Sequence, residues 1–250
     1  MQRYFTNENL NGGRLDLPAD IYRHAVVVMR MREKDRFELV TQDHVVHVME
    51  LTDVDAAEKS ASAVETGRFE HAVELPVEAT VVCGLPKSDK TDWIVMKATE
   101  LGASRIVFFG GDWSVARWTK QKQARKLERL QKIARGAAEQ SHRTVVPEVS
   151  YIESLKELVL PEDAVGVCAY EESAKEGERG MLVQAYRRLE EAGTGQIVAV
   201  FGPEGGISPK EVELLKERGF LLAGLGPRIM RAETAPMYFL STLSFALELE

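Results

Sequence analysis

Cysteine is scarce in this chain. Two occur in 250 residues, Cys83 and Cys168, far apart and each inside an apolar, strand-like run. Neither belongs to a CxxC pair or has a histidine at ligand spacing, so a disulfide framework and a zinc site are both excluded, and two buried thiols are expected. His44 and His47 stand three apart in a strand-like run and so face opposite ways, which gives no metal pair and leaves the expectation of no metal. Apolar runs of the ~18 residues needed to span a membrane are missing. Met1 to Glu8 offers no basic segment followed by an apolar one, which predicts a cytoplasmic protein. There is no G-x-x-x-x-G-K-[ST] motif and no G-x-G-x-x-G at a first βα turn, which removes the P-loop and the dinucleotide-binding fingerprint. Internal repeats and low-complexity tracts are lacking as well.

Positive charge is in deficit overall, with a formal net charge of −7, which argues against a protein that coats nucleic acid. Its distribution is uneven. Asp43 to Glu78 holds nine acids against Lys59 and Arg68, whereas Ser114 to Arg143 holds nine bases against Glu128 and Glu139. An acidic chain with one basic tract points to a local anionic partner.

With 44% hydrophobic residues, 250 residues suffice for two modest domains. Residues 1–74 read as a small β-rich unit. Arg36 to Thr41 and His44 to Leu51 form a hairpin pattern, and Pro18 suits the first turn of a short helix from Ala19 to Val28. Arg3, Arg14, His24, Arg30, Arg32 and Arg36 cluster in this part as possible phosphate contacts. Thr52 to Glu74 reads as an acidic hinge, with a strand near Phe69 to Leu75. Residues 75–250 change grammar. Strand-like runs at Thr80 to Leu85, Arg105 to Phe109, Ala164 to Tyr170, Gln196 to Phe201 and Leu221 to Leu225 alternate with helical runs. Those lie at Asp89 to Leu101, Lys120 to Gln140, Gly177 to Glu191, Lys210 to Arg218 and Thr234 to Leu249. This alternation predicts an α/β domain with a mostly parallel sheet covered by helices.

In Lys120 to Gln140, Leu127, Leu130, Ile133, Ala134 and Ala137 recur at helical spacing and define a buried face. At 100° per residue Lys122, Arg125, Arg129 and Lys132 share an adjacent face. That face is either a solvated side or an RNA contact, and the sequel Glu139 to Arg143 is polar and basic where helix gives way to loop.

The most informative stretch is Phe201 to Ala235. A short apolar strand ends in Phe201-Gly202-Pro203-Glu204-Gly205-Gly206, whose glycines permit positive φ and let a ligand lie against bare backbone. Ser208 is a natural N-cap, Pro209 suits the first helical position and Glu211 completes a capping box. A second turn of the same design follows at Leu225-Gly226-Pro227. An adenosine-type ligand held by backbone hydrogen bonds and by apolar walls such as Leu225, Ile229 and Met230 fits such a place.

Phe201-Gly-Pro-Glu-Gly-Gly-Ile-Ser208, followed by Leu225-Gly-Pro-Arg-Ile-Met-Arg-Ala-Glu-Thr-Ala235, resembles the cofactor-binding signature of the SPOUT methyltransferases, specifically the RsmE family. The likeness extends to Met1-Gln-Arg-Tyr-Phe5, His24 to Arg30, Lys87 with Asp92-Trp93, Lys97-Ala-Thr-Glu-Leu-Gly102 and Ala137-Ala-Glu-Gln-Ser-His-Arg143 with Pro147. Met230 stands where leucine is common, and Arg32 to Asp35 lacks a glycine that many relatives carry.

The resemblance implies a PUA-like β-barrel for RNA in residues 1–74, a knotted SPOUT domain in residues 75–250, a homodimer, and S-adenosylmethionine as methyl donor to N3 of a specific uridine in 16S rRNA of the small ribosomal subunit. It implies a cofactor site made of Ala169, Tyr170, Glu171, Phe201, Gly202, Pro203, Glu204, Gly205, Gly206, Leu225, Gly226, Ile229, Met230, Arg231, Thr234 and Ala235. RNA contacts are expected from Arg3, His24, Arg30, Arg117, Lys122, Arg125, Arg129 and Arg143. Such a reaction must take the N3 proton and stabilise charge on O2 and O4, for which Arg231, Arg143 and Arg117 are candidates in that order. Glu204 or Glu233 is either a base or a cap on backbone amides. Two other classes stand beside this reading: an RNA-binding assembly protein with a vestigial pocket, and a nucleotide-linked oxidoreductase, which the missing fingerprint opposes.

Overall fold

The structure is a computed structural model that describes residues 1–87, 90–172, 180–192 and 195–249. The chain divides into two compact units, Met1–Glu74 with Ala138–Val145, and Leu75–Ala137 with Val146–Glu250. The boundary near residue 74 is the expected one, but the expectation misses that Ala138–Val145 belongs to the first unit.

The first unit is a five-stranded sheet. Its strands are β1 (Arg3–Phe5), β2 (Arg14–Asp16), β3 (Arg36–Val40), β4 (Val46–Asp55) and β5 (Ser60–Phe69), in the order β1-β3-β4-β5-β2. β1 runs parallel to β3, and the other pairs are antiparallel, with register shifts at Val48/Met49 and Leu51/Asp53 that bend the long hairpin. Thr52 to Glu74 is therefore no hinge: most of it is this hairpin, and the strand expected near Phe69 to Leu75 is instead the end of β5, which stops at Phe69. The acids that suggested a linker sit on the hairpin's exposed side and end, while Leu51, Ala61 and Ala63 face the core. Helix α1 (Ala19–Tyr22) passes into a wider π turn, Arg23–Val28, that exposes Arg23, His24 and Val27 before Arg30 turns the chain at φ 58°. His47 bonds through Nδ1 to Glu65 and through Nε2 to Thr41, whereas His44 Nδ1 meets the carbonyl of Thr144, so the two histidines serve separate contacts.

Ala138–Val145 is fastened to this unit by two buried arginines. Arg3 Nε donates to Glu38 at 2.8 Å, and its Nη1 reaches the carbonyls of His142 and Arg143. Arg143 in turn donates through Nε to Glu74 at 2.9 Å, and the other oxygen of Glu74 accepts from the amides of Thr144 and Val145. Arg3 and Arg143 are 2% and 3% exposed, so neither offers its guanidinium to a phosphate. The expectation that they contact RNA is corrected: both charges are already spent on carboxylates and carbonyls, and exposing them would leave those partners unpaired.

The second unit is a six-stranded, all-parallel sheet of β6 (Glu78–Gly84), β7 (Arg105–Phe109), β8 (Glu148–Ile152), β9 (Val165–Ala169), β10 (Gln196–Phe201) and β11 (Leu221–Ala223), in the order β11-β9-β10-β6-β7-β8. Edge strand β8 was not anticipated. Its helices are α2 (Lys90–Glu100), α3 (Lys120–Gln140, whose last turn enters the first unit), α4 (Met181–Ala192), α5 (Pro209–Glu217) and α6 (Ala235–Ser244), the last continuing as a π turn through Leu249. The start expected for α4, Gly177, lies outside the described residues, as does Asp89 before α2. Val81, Ile106, Phe108, Val167, Ala199 and Phe201 are fully buried in the main core, joined by Leu130 and Ala134 of α3 as the helical spacing required. Burial pushes the thiols of Cys83 and Cys168 up to about 12, so both behave as inert apolar groups. Among the described residues no helix is long and apolar enough to cross a membrane.

Removing the Glu74 carboxylate takes a counter-charge away from the buried guanidinium of Arg143. Glu74→Ala is expected to destabilise the first unit by about 3 kcal/mol, the low end of the range for a broken buried pair because Glu74 is partly exposed. Urea unfolding followed by circular dichroism, with faster hydrogen exchange in β1 and β3, checks this.

Candidate active site

The site lies at the carboxyl edge of the parallel sheet. In register, Ala169, Phe201 and Ala223 sit side by side at the ends of β9, β10 and β11, so the loops after them leave together. They surround a cavity of about 510 Å³ lined by Ala169 to Glu172, Phe201 to Ile207 and Leu225 to Ala232 with Ala235. Every expected cofactor residue lines it except Thr234, which stands at the start of α6, where its carbonyl accepts from the amide of Tyr238 at 3.0 Å.

Local sequence chemistry fixes these loops. The amide of Gly206 donates to the carbonyl of Pro203 at 2.8 Å, closing a turn in which Gly206 takes φ 83°, a conformation that an L side chain resists. Ser208 and Glu211 form the expected capping box: Ser208 Oγ accepts from the Glu211 amide at 3.2 Å, and the Glu211 carboxylate accepts from the Ser208 amide at 2.8 Å. The second oxygen of Glu211 also accepts from the amide of Asp112 at 3.0 Å, and Ser208 Oγ donates to Asp112 at 2.7 Å. These bonds tie the loop after β7 to the loop after β10.

A lysine joins the two glycine loops. Lys90, on the first turn of α2, places Nζ 2.9 Å from Glu204 and 3.0 Å from Glu233, and Glu204 also accepts from the amide of Lys87 at 3.1 Å. Burial tends to raise both carboxyl groups, yet the hydrogen bonds from Lys90 and from backbone amides outweigh it and hold each below the ordinary carboxylate range. Bonding to the two carboxylates raises the Lys90 ammonium above its usual value. Both bonds to Glu204 fall on Oε1, so this carboxylate clamps the loop after β10 to the start of α2.

The other expected residues are dispersed. Arg231 is exposed on the cavity wall. Arg117 does not line it; its Nη2 donates to the carbonyl of Gly111 at 2.8 Å and braces the loop after β7. On α3, Lys122 and Arg125 are exposed, while Arg129 pairs with Asp92 and Lys132 with Glu128. In the first unit His24 and Arg30 are exposed, with His24 Nδ1 2.9 Å from the hydroxyl of Tyr4. Among the described residues no group of three or more His, Cys, Asp or Glu could hold a metal ion.

Residues 73–244 match the RNA methyltransferase domain family. The chain is 38% identical over 255 residues to ribosomal RNA small subunit methyltransferase E of Bacillus subtilis (strain 168), an alignment that covers 100% of this chain and 98% of the relative. The chain belongs to the RsmE family. It is an RNA methyltransferase by that membership, and the matched span contains all the cavity residues. Among solved structures, one described as a hypothetical protein superposes with a TM-score of 0.86 at 34% identity over 99% of both chains. The RsmE of Neisseria gonorrhoeae bound to S-adenosyl methionine gives 0.81 at 27% identity over 98% of both.

Around this cavity, sequence reasoning missed Lys90, Trp113, Glu172 and Ile207, whereas Pro227, Arg228 and Ala232 fall within the second expected motif, Leu225 to Ala235. Those adjoining the two motifs were one or two residues from the expected set. Lys90 comes from the first turn of α2 and Trp113 from the loop after β7, neither within the two motifs, and only the strand order brings them in.

The lysine clamp has a pH signature. Folded-state carboxyl values below the ordinary 4.5 contribute stability that is present above it and lost as pH falls through the depressed values, and a raised lysine contributes below its ordinary 10.5 and loses this as pH climbs through its folded value. The stability gap between wild type and Lys90→Met, about 1 kcal/mol for half-buried pairs, should be level across neutral pH and close at both extremes in urea titrations.

Proposed function

We propose that this protein transfers a methyl group from S-adenosylmethionine to N3 of a specific uridine in 16S rRNA of the small ribosomal subunit. The observation that carries this reading is the cavity formed by two glycine-bearing loops at adjacent strand ends, in a chain of the RsmE family whose N. gonorrhoeae relative binds S-adenosyl methionine. The lining suits such a ligand. Backbone of Gly202 to Gly206 and Leu225 to Gly226 offers close polar contact, Leu225, Ile229 and Met230 offer apolar walls, and the acids Glu171 and Glu172 suit the ligand's amino and hydroxyl groups.

When bound, S-adenosylmethionine supplies an activated sulfonium methyl. The chain's work is then orientation and charge control. The loops after β9, β10 and β11 hold the donor, and the clamp from Lys90 to Glu204 and Glu233 keeps the last two in fixed relation. Arg231, exposed on the cavity wall, stabilises the charge that spreads to O2 and O4 as the N3 proton leaves. Solvent takes that proton, since the neighbouring carboxylates are engaged. Exposed His24 and Arg30 of the first unit, and Lys122 and Arg125 of the second, with Arg129 able to exchange its surface partner, contact RNA phosphates.

The remaining family features are proposals of the same kind. The bent five-stranded sheet suits a PUA-like barrel, and the insertion of β10 between β6 and β9 suits a knotted SPOUT topology. Phe245 and Leu249, 58% and 75% exposed at the end of the chain, are apolar surface that a homodimer would cover. Light scattering reads the mass, and a value near one chain would sink the dimer.

Calorimetry should show one S-adenosylmethionine site per protomer. Gly206→Val should weaken it at least about fivefold, since a side chain at φ 83° costs ~1–2 kcal/mol before any loss of ligand space. Labelled methyl transfer to undermethylated small subunits, read by a reverse-transcription stop, tests the reaction; RNA binding without transfer would favour the assembly-protein alternative. Comparing subunits with naked rRNA identifies the substrate form.

A further inference from the structure

The chain has three tryptophans in three different settings. Trp118 is 8% exposed and stacks on Tyr151 in the core, and Trp93, half exposed, lies under the ammonium of Lys97. Trp113 is 49% exposed, lines the cavity, and has neither an aromatic nor a cationic partner among the described residues.

Its position is nonetheless rigidly specified. The loop from Gly110 to Ser114 is braced by Arg117 on the carbonyl of Gly111, by Ser114 Oγ accepting from the amide of Gly111 at 3.2 Å, and by Asp112, which bonds both Ser208 and Glu211. Gly205 packs directly beneath: a Cβ there would come within 2.9 Å of the Trp113 carbonyl oxygen and 3.0 Å of its Cβ. The benzo edge of the indole lies over Gly206, where Cε3 and Cζ3 stand 3.9 Å from the place of a Cβ. A large apolar ring held half in water by this many contacts is unfavourable unless something flat covers it.

We infer that Trp113 is the stacking platform for the target pyrimidine at the mouth of the methyl-donor cavity. This rests on the methyltransferase reading above. A base whose N3 is to be methylated has that edge in a pair when helical, so it must arrive unpaired and unstacked, and an aromatic face replaces the stacking it gives up. Trp113 comes from the loop after β7, outside the glycine loops that hold the donor, and its exposed side meets a ligand entering from solvent. The indole N–H makes no hydrogen bond among the described residues and remains free to donate to a pyrimidine carbonyl.

The test compares Trp113→Ala and Trp113→Phe in the full chain, using undermethylated small subunits for transfer and calorimetry for S-adenosylmethionine. Base stacking predicts that Ala lowers kcat/KM for subunits about 10- to 100-fold, that Phe restores most of it, and that any loss of S-adenosylmethionine affinity is far smaller than the loss of transfer. Quenching of tryptophan emission by a uridine-bearing oligoribonucleotide should be present in the wild type and lost in Trp113→Phe. Unchanged subunit kinetics in Trp113→Ala overturns the inference. So does a loss of S-adenosylmethionine affinity that matches the loss of transfer, which would make the ring a cofactor wall by cation–π contact with the sulfonium. Failure of the wild type to bind S-adenosylmethionine overturns the methyltransferase reading itself, and this assignment with it.

Discussion

Parallel pairing in the second unit sends the carboxyl end of every strand to one edge of the sheet, and the register makes Ala169, Phe201 and Ala223 end level with one another. Loops that follow these strands have no choice but to emerge as neighbours. Because β10 pairs between β6 and β9, the loop after β10 also meets the turn into α2 and the loop after β7. A site assembled from five separate stretches of chain follows from that single ordering of strands. The glycines do not create the cavity; they let the backbone line it closely once the strands have placed it there.

What was legible in the sequence follows the same division. The strands at Arg105–Phe109 and Gln196–Phe201 were readable as short continuous apolar runs ended by glycine, and the long helix Lys120–Gln140 because its apolar residues repeat at helical spacing. The capping box at Ser208 was readable because it is local chemistry within four residues. The acidic stretch after Thr52 misled because exposed hairpin strands and linkers share a composition, and only pairing with β4 distinguishes them. Lys90 and Trp113 were illegible for another reason: each is one ordinary residue outside the two motifs, and its significance depends on the partner that non-local strand order supplies.

Charge gave a similar lesson. Arginines near the start of the chain and at Arg143 carry the right functional group for RNA, and nothing local reveals whether such a group is free. Burial decides it. Arg3 and Arg143 hold Ala138–Val145 to the first sheet, so the same residues that look like a phosphate grip in the sequence are the fastening of one segment of chain to another. Lys122 and Arg125 of the basic tract stay exposed, so part of its charge still faces solvent.

The clamp at Lys90 also limits the chemistry. One ammonium lies within 3.0 Å of a carboxylate from each glycine loop, and the three charges leave one net negative charge beside a cavity whose exposed wall carries Arg228 and Arg231. If either glutamate were to take a proton from a substrate, the clamp would lose half its attraction in the same step and the loops their fixed relation. Loop order and proton uptake therefore compete for the same carboxylates. In the proposed reaction the nucleophile is made by loss of a weakly acidic proton, and there we assign stabilisation of the resulting anion to Arg231 on the exposed wall of the second loop.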